Sequence, residues 1–154
     1  MARAEARTVA VALIDLSSVL HERAETWAAL SAEKNVSIEV RVDADSALAI
    51  PGVVDQIVDN FIDNAVQYAP EGSSVEVAST ANSEGVLIHV ADRGPGLTAE
   101  QCERALDRFW RAPDAAAGGT GLGLAIAARL AEASGGRVSL RPREGGGLVA
   151  ELLL

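Results

Sequence analysis

Two asparagines, Asn60 and Asn64, stand four residues apart in the stretch DQIVDNFIDNAVQY (55–68). At about 100° per residue, Gln56, Asn60, Asp63, Asn64 and Gln67 fall in one narrow stripe of a helix, opposite Val54, Ile57, Val58, Phe61 and Ala65. A solvated face is the ordinary meaning of such a stripe, yet Glu, Lys or Arg would serve it better. Asn costs up to about 0.7 kcal/mol against Ala in a helix, because its amide competes for backbone hydrogen bonds. Residues four apart lie one above the other, so the pair offers neutral amide oxygens to a hard cation without repelling an anion beside it. Magnesium takes oxygen ligands and commonly joins protein to a bound phosphate. Asp59 and Asp63 stand where they could support it.

A second constellation is Asp92-Arg93-Gly94-Pro95-Gly96, directly after the apolar alternation of 86–91. It is either an ordinary strand-to-helix turn or a base-reading loop. A carboxylate fixed at a strand end can accept a hydrogen bond from an exocyclic amine such as adenine's. Gly94 and Gly96 would then admit a flat ligand close to the backbone. A third is Gly118-Gly119-Thr120-Gly121-Leu122-Gly123-Leu124, entering a helix expected over about 120–134. Glycine inside a helix costs about 1 kcal/mol, so Gly121 and Gly123 need a reason. A helix start clear of side chains leaves N–H groups and partial positive charge for a phosphate. The run is no Walker A loop, because Gly-Lys-Ser/Thr does not follow, and Leu124 stands where G-x-G-x-x-G needs its third glycine. No His-Arg-Asp triplet occurs anywhere in the chain.

The elements that must hold these groups are legible in outline. A lead-in over 1–14 ends in an apolar run, and Asp15 is an N-cap for a helix to about Lys34. Strict alternation predicts a strand over 36–42, and 47–50 is a short partner strand stopped by Pro51-Gly52. A helix follows over 53–68, ending before Pro70. Strands at 74–80 and 86–91 flank a turn-prone 81–85. A short helix follows Thr98, and two strands, 137–141 and 148–154, surround Gly145-Gly146-Gly147. Paired strands with helices between them point to an α+β two-layer sandwich.

The 154 residues are one domain's worth. Net charge is −9, and the half 1–77 carries −8 of it. Such a field disfavours nucleic acid and anionic lipid as partners, and repels a small polyphosphate unless a cation or backbone N–H groups offset it. No apolar run approaches the ~20 residues of a membrane span, and no signal peptide is expected. The lone Cys102 excludes an internal disulfide and a cysteine-based zinc site.

The order of the constellations resembles the catalytic ATP-binding domain of bacterial sensor histidine kinases, in the ATPase superfamily shared with gyrase, Hsp90 and MutL. Residues 60–70 are similar to that family's N box, 92–96 to its first glycine box, Arg108-Phe109-Trp110-Arg111 to its phenylalanine box, and 119–126 to its second glycine box. The resemblance implies a mixed, mainly antiparallel sheet covered on one face by about three helices. It implies that Asn64 ligates Mg²⁺ with Asn60 beside it, and that Tyr68 lies against ATP. It further implies that Asp92 binds the adenine amine while Gly94, Gly96 and Leu97 line the base pocket. Gly119, Thr120, Gly121 and Gly123 would wrap the phosphates, with Leu122 and Leu124 anchoring the helix. A lid is expected over about 112–119, with Phe109 packing to anchor it and Arg111 able to reach the phosphates. Gln67 stands where the family usually has Lys or Arg.

The family's phosphoacceptor His lies in a separate dimerisation domain. His21-Glu22 fits its pattern only superficially, since no Thr-Pro follows, and His21 and His89 are expected to be structural or surface residues. The implied function is a cytoplasmic catalytic domain, cut from a membrane-anchored kinase. It would position Mg-ATP for transfer to that His and thence to a response regulator. The alternatives are a serine kinase of the anti-sigma type in the same superfamily and a nucleotide-sensing module without turnover.

Overall fold

The computed structural model describes residues 10–111 and 122–154. Eleven elements follow in order among these residues: β1 (Ala12–Asp15), α1 (Leu16–Glu33), β2 (Ser37–Val42), β3 (Ser46–Ala49), α2 (Val53–Tyr68), β4 (Ser74–Asn82), β5 (Gly85–Ala91), α3 (Ala99–Arg104), α4 (Gly123–Ala133), β6 (Arg137–Pro142) and β7 (Leu148–Leu153).

Local chemistry accounts for the helix ends. Asp15 caps α1 by accepting from the Ser18 N–H at 3.2 Å and the Ser18 hydroxyl at 3.0 Å. Thr98 and Gln101 form a reciprocal capping box at α3. The carbonyls at the end of α2 receive the chain's single lysine: Lys34 Nζ donates to Val66 O, and to Gln67 O at 2.9 Å. A cation there complements the negative end of the helix.

Five strands pair in the order β2-β4-β5-β7-β6, with β2–β4 parallel and the other three pairs antiparallel. β1 and β3 form a separate antiparallel ribbon, so the end of the lead-in belongs to the fold and is the partner of the short 46–49 strand. Val75, Val77, Ile88, Val90, Val138, Ala150 and Leu152 turn one sheet face to the helices. Leu16, Leu20, Ile57, Phe61, Ile62, Ala127 and Ala131 of α1, α2 and α4 meet them in one core. The expected two-layer α+β sandwich, three main helices on one face, is what the chain adopts. The other face carries charge: Glu76 lies 3.1 Å from His89 Nε2 and 3.4 Å from Arg41 Nη2, and Glu151 pairs with Arg141.

Candidate functional site

The amphipathic split of α2 is as the pattern predicts. Val54, Ile57, Val58, Phe61, Ile62, Ala65 and Val66 are buried. Asn60, Asn64, Gln67 and Tyr68 are half-buried on the opposite flank, with Gln56 and Asp63 exposed. Asp59 does not stand beside that stripe as a support for a cation. Its Oδ1 accepts from Trp27 Nε1 at 3.0 Å and its Oδ2 pairs with Arg23 Nη1 at 3.2 Å, so α1 takes both oxygens.

Asp92 follows β5 and is 3% exposed, one of three buried polar residues among those described. Its backbone N–H donates to Leu148 O at 3.0 Å, and its Oδ1 accepts from the Gly94 N–H at 2.7 Å. Burial pushes the carboxyl above its ordinary value, while hydrogen bonds from the Gly94 and Leu148 backbone and the Arg143 charge pull it back. An ionisable acid kept in such a place is a functional-site signature.

The glycines of this loop have a reason besides the one the sequence suggests. A Cβ on Gly94 would lie 2.6 Å from Tyr68 O, and one on Gly96 would lie 2.6 Å from Gly147 O. The protein's own backbone excludes side chains there. Gly94 thereby seats the loop against the end of α2, and Gly96 seats it against the β6–β7 turn. Leu97, next along, is half-buried.

At the start of α4 the helix begins at Gly123, so this glycine sits in the first turn, where the interior penalty is relaxed, and not inside the helix as expected. Among the described residues no side chain caps this end. The Cβ direction of Gly123 points at Asn60, 3.7 Å from Oδ1, which brings the helix start beside the first asparagine of the stripe. Leu124 packs against the core and holds α4, as expected; Leu122 is half-buried. Gly119, Thr120, Gly121 and the expected lid lie outside the described residues.

Phe109 does not pack inward. It is 63% exposed with φ at 65°, an unusual backbone conformation for an aromatic residue, and Arg108 stands over its ring at 5.2 Å. Arg111 is exposed. His21 is exposed on α1 with Nδ1 2.7 Å from Ser17 O, and His89 is tied to Glu76 on the sheet.

The profile of the histidine kinase-, DNA gyrase B- and HSP90-like ATPase family matches residues 49–154. The chain belongs to that family. The sensor-like histidine kinase SenX3 of Mycobacterium tuberculosis is 37% identical over 129 residues, 80% of this chain and 32% of the relative. The sensor protein CreC of Escherichia coli is 30% identical over 147 residues, 95% of this chain and 31% of the relative. Among solved structures, full-length ShkA in complex with AMPPNP superposes with a TM-score of 0.80 at 32% identity, covering 94% of this chain and 30% of that one. The chain thus spans about a third of the length of these relatives.

Within this histidine kinase-like ATPase domain, neutral carboxamide oxygens next to an uncapped helix start are a donor set that fits a triphosphate with a hard divalent ion. Sequence reasoning placed the β6–β7 turn but missed that it meets the Asp92 loop. Gly147 has φ 114°, and a Cβ on it would fall 1.9 Å from Asp92 O; Arg143 Nη1 donates to that same carbonyl at 3.2 Å. Three consecutive glycines signal a turn, but nothing local says which loop it meets.

Proposed function

We propose that this domain binds ATP with Mg²⁺ and presents the γ-phosphoryl group to a histidine on a separate helical dimerisation domain, which passes it to a response-regulator aspartate. The observation that carries this reading is the convergence on one rim of the α2 stripe, buried Asp92 and the uncapped start of α4, with Asn60 Oδ1 3.7 Å from the Cβ position of Gly123. The ShkA–AMPPNP complex and the sensor-kinase relatives support it.

In this reading Asp92 accepts from the adenine amine, and Tyr68, Gly94, Gly96 and Leu97 flank the base. The backbone N–H groups at the start of α4, from Leu122 on, face the phosphates, with Arg111 at their edge. Asn64, with Asn60 beside it, holds Mg²⁺, which when bound offsets phosphate charge. In the transfer, the bond from the γ-phosphorus to the bridging oxygen breaks and a phosphorus–nitrogen bond to imidazole forms. ADP leaves, and the imidazole proton goes to a base of the acceptor domain. Catalysis here is positioning and electrostatic stabilisation. The domain would work in the cytoplasm as part of a membrane-anchored sensor; among the described residues no helix is long and apolar enough to cross a membrane.

Calorimetric titration with ATP, in Mg²⁺ and in EDTA, tests binding. Radiolabel transfer to the kinase's dimerisation domain, supplied in trans, tests the reaction. Asn64→Asp is expected to weaken Mg-ATP binding at least tenfold while leaving the unfolding transition in place. A wild-type protein that ignores millimolar Mg-ATP would end the proposal, and binding without transfer would leave a nucleotide-sensing module.

A further inference from the structure

We propose that Arg143, in the turn between β6 and β7, sets the base selectivity of the nucleotide site by positioning Asp92. This rests on Asp92 being the acceptor for the adenine amine.

Selectivity from a single carboxylate requires that it cannot turn away when the wrong base arrives. Asp92 directly follows β5 and opens a loop that has no helix or strand until Ala99. Its N–H is tied to Leu148 O, and its carbonyl faces the β6–β7 turn, where a Cβ on Gly147 would fall 1.9 Å away. Arg143 of the same turn grips that carbonyl. One end of its guanidinium donates to Asp92 O at 3.2 Å, and the other lies 3.8 Å from Glu76 Oε2 on β4. Its side chain is 18% exposed, so the strut is largely out of water. Glu76 is itself fixed by His89 and Arg41, which gives the strut an anchor on the sheet.

The turn is secured to the loop a second time. Arg93 Nη1 donates to Glu144 O at 3.0 Å and to Gly146 O at 3.3 Å, so arginines run in both directions between the two segments. The Arg143 charge also favours the ionised form of Asp92, against the burial that opposes it. Arg143 therefore acts through Asp92, without needing to touch nucleotide. It is a positioning residue.

Inosine triphosphate separates this role from a general structural one, because it replaces the adenine amine with a carbonyl oxygen and leaves the triphosphate unchanged. Wild-type protein is expected to bind Mg-ATP at least tenfold more tightly than Mg-inosine triphosphate. Arg143→Met is expected to shrink that ratio at least threefold, mainly through weaker ATP binding, and Arg143→Lys, which keeps the charge and a donor, to recover most of it. Should Arg143→Met fail to fold, Arg93→Met releases the same turn from its other side and is expected to lower the ratio too. An unchanged ratio in the folded variant, whether both affinities hold or both fall together, overturns the proposal. Absence of any preference in the wild type is a different failure, that of the Asp92 reading itself.

Discussion

Asp92 works against its own surroundings, and the conflict can be measured. An ionised carboxylate accepts from a ligand more strongly than the neutral acid, yet this one is buried and its pKa is raised above the ordinary 3.8, with desolvation the largest cause. Two trends of opposite sign follow on acidification. ATP affinity is expected to fall as pH drops toward the raised pKa, at higher pH than an exposed aspartate would dictate. Folding behaves the other way, because a raised folded-state pKa means that the protonated form is the better buried. Asp92's contribution to stability is fully present below its unfolded pKa and is lost as pH rises through its folded pKa. Calorimetry across pH, with Asp92→Asn as the variant that cannot titrate, checks the first trend; urea unfolding of the same pair checks the second. Asp92→Ala removes a charged acceptor of the kind worth about 1.5–3 kcal/mol, so ATP affinity should drop by roughly ten- to a hundredfold with the fold retained.

At the level of elements, the rotation of α2 decides where the asparagines point. Two constraints set that rotation: the buried apolar flank, and the grip of Arg23 and Trp27 on Asp59. The first was plain in the sequence, since an i, i+3, i+4 pattern needs no knowledge of neighbours. The second was not, because Asp59 reads like any acid next to a polar stripe until α1 is seen across from it. Asp59→Ala should cost about 1–2 kcal/mol by stranding a partly buried guanidinium and an indole N–H, read as a lower urea midpoint at unchanged slope. The same distinction explains the glycines. Gly52 and Gly147 both have positive φ, 85° and 114°. A Cβ on Gly52 meets nothing within 4 Å, whereas one on Gly147 would overlap Asp92 O. Gly52→Ala should therefore cost only the conformational penalty of about 1–2 kcal/mol. Gly147→Ala must move either the turn or the Asp92 loop, and should lose several times more stability together with ATP binding. Element types, helix caps and sandwich class were readable because they depend on local pattern. The turn behind Asp92 and the clamp on Asp59 were not, because each joins segments more than thirty residues apart.

Over the whole molecule, an acidic protein is asked to hold an acidic ligand. The net charge is −9, and α1 and α2 lie in the half that carries −8 of it. In the proposed reading local features oppose that field: the start of α4, Arg111, and the neutral amides of Asn60 and Asn64, four residues apart on α2. These act over a few ångströms, whereas the net charge acts over a Debye length, about 30 Å at 10 mM salt and about 10 Å at 100 mM. Salt therefore separates the two. In EDTA, with no divalent ion to offset the phosphates, ATP affinity is expected to rise two- to fivefold, roughly, from 10 to 100 mM potassium chloride, because screening removes more long-range repulsion than short-range attraction. In millimolar Mg²⁺ the ligand carries less charge, and the dependence should flatten. A steady fall of affinity with salt in EDTA would mean that the arginines outweigh the acidic half. The tolerance of this molecule for triphosphate would then be set by side-chain cations, and the carboxamide stripe would lose its electrostatic rationale.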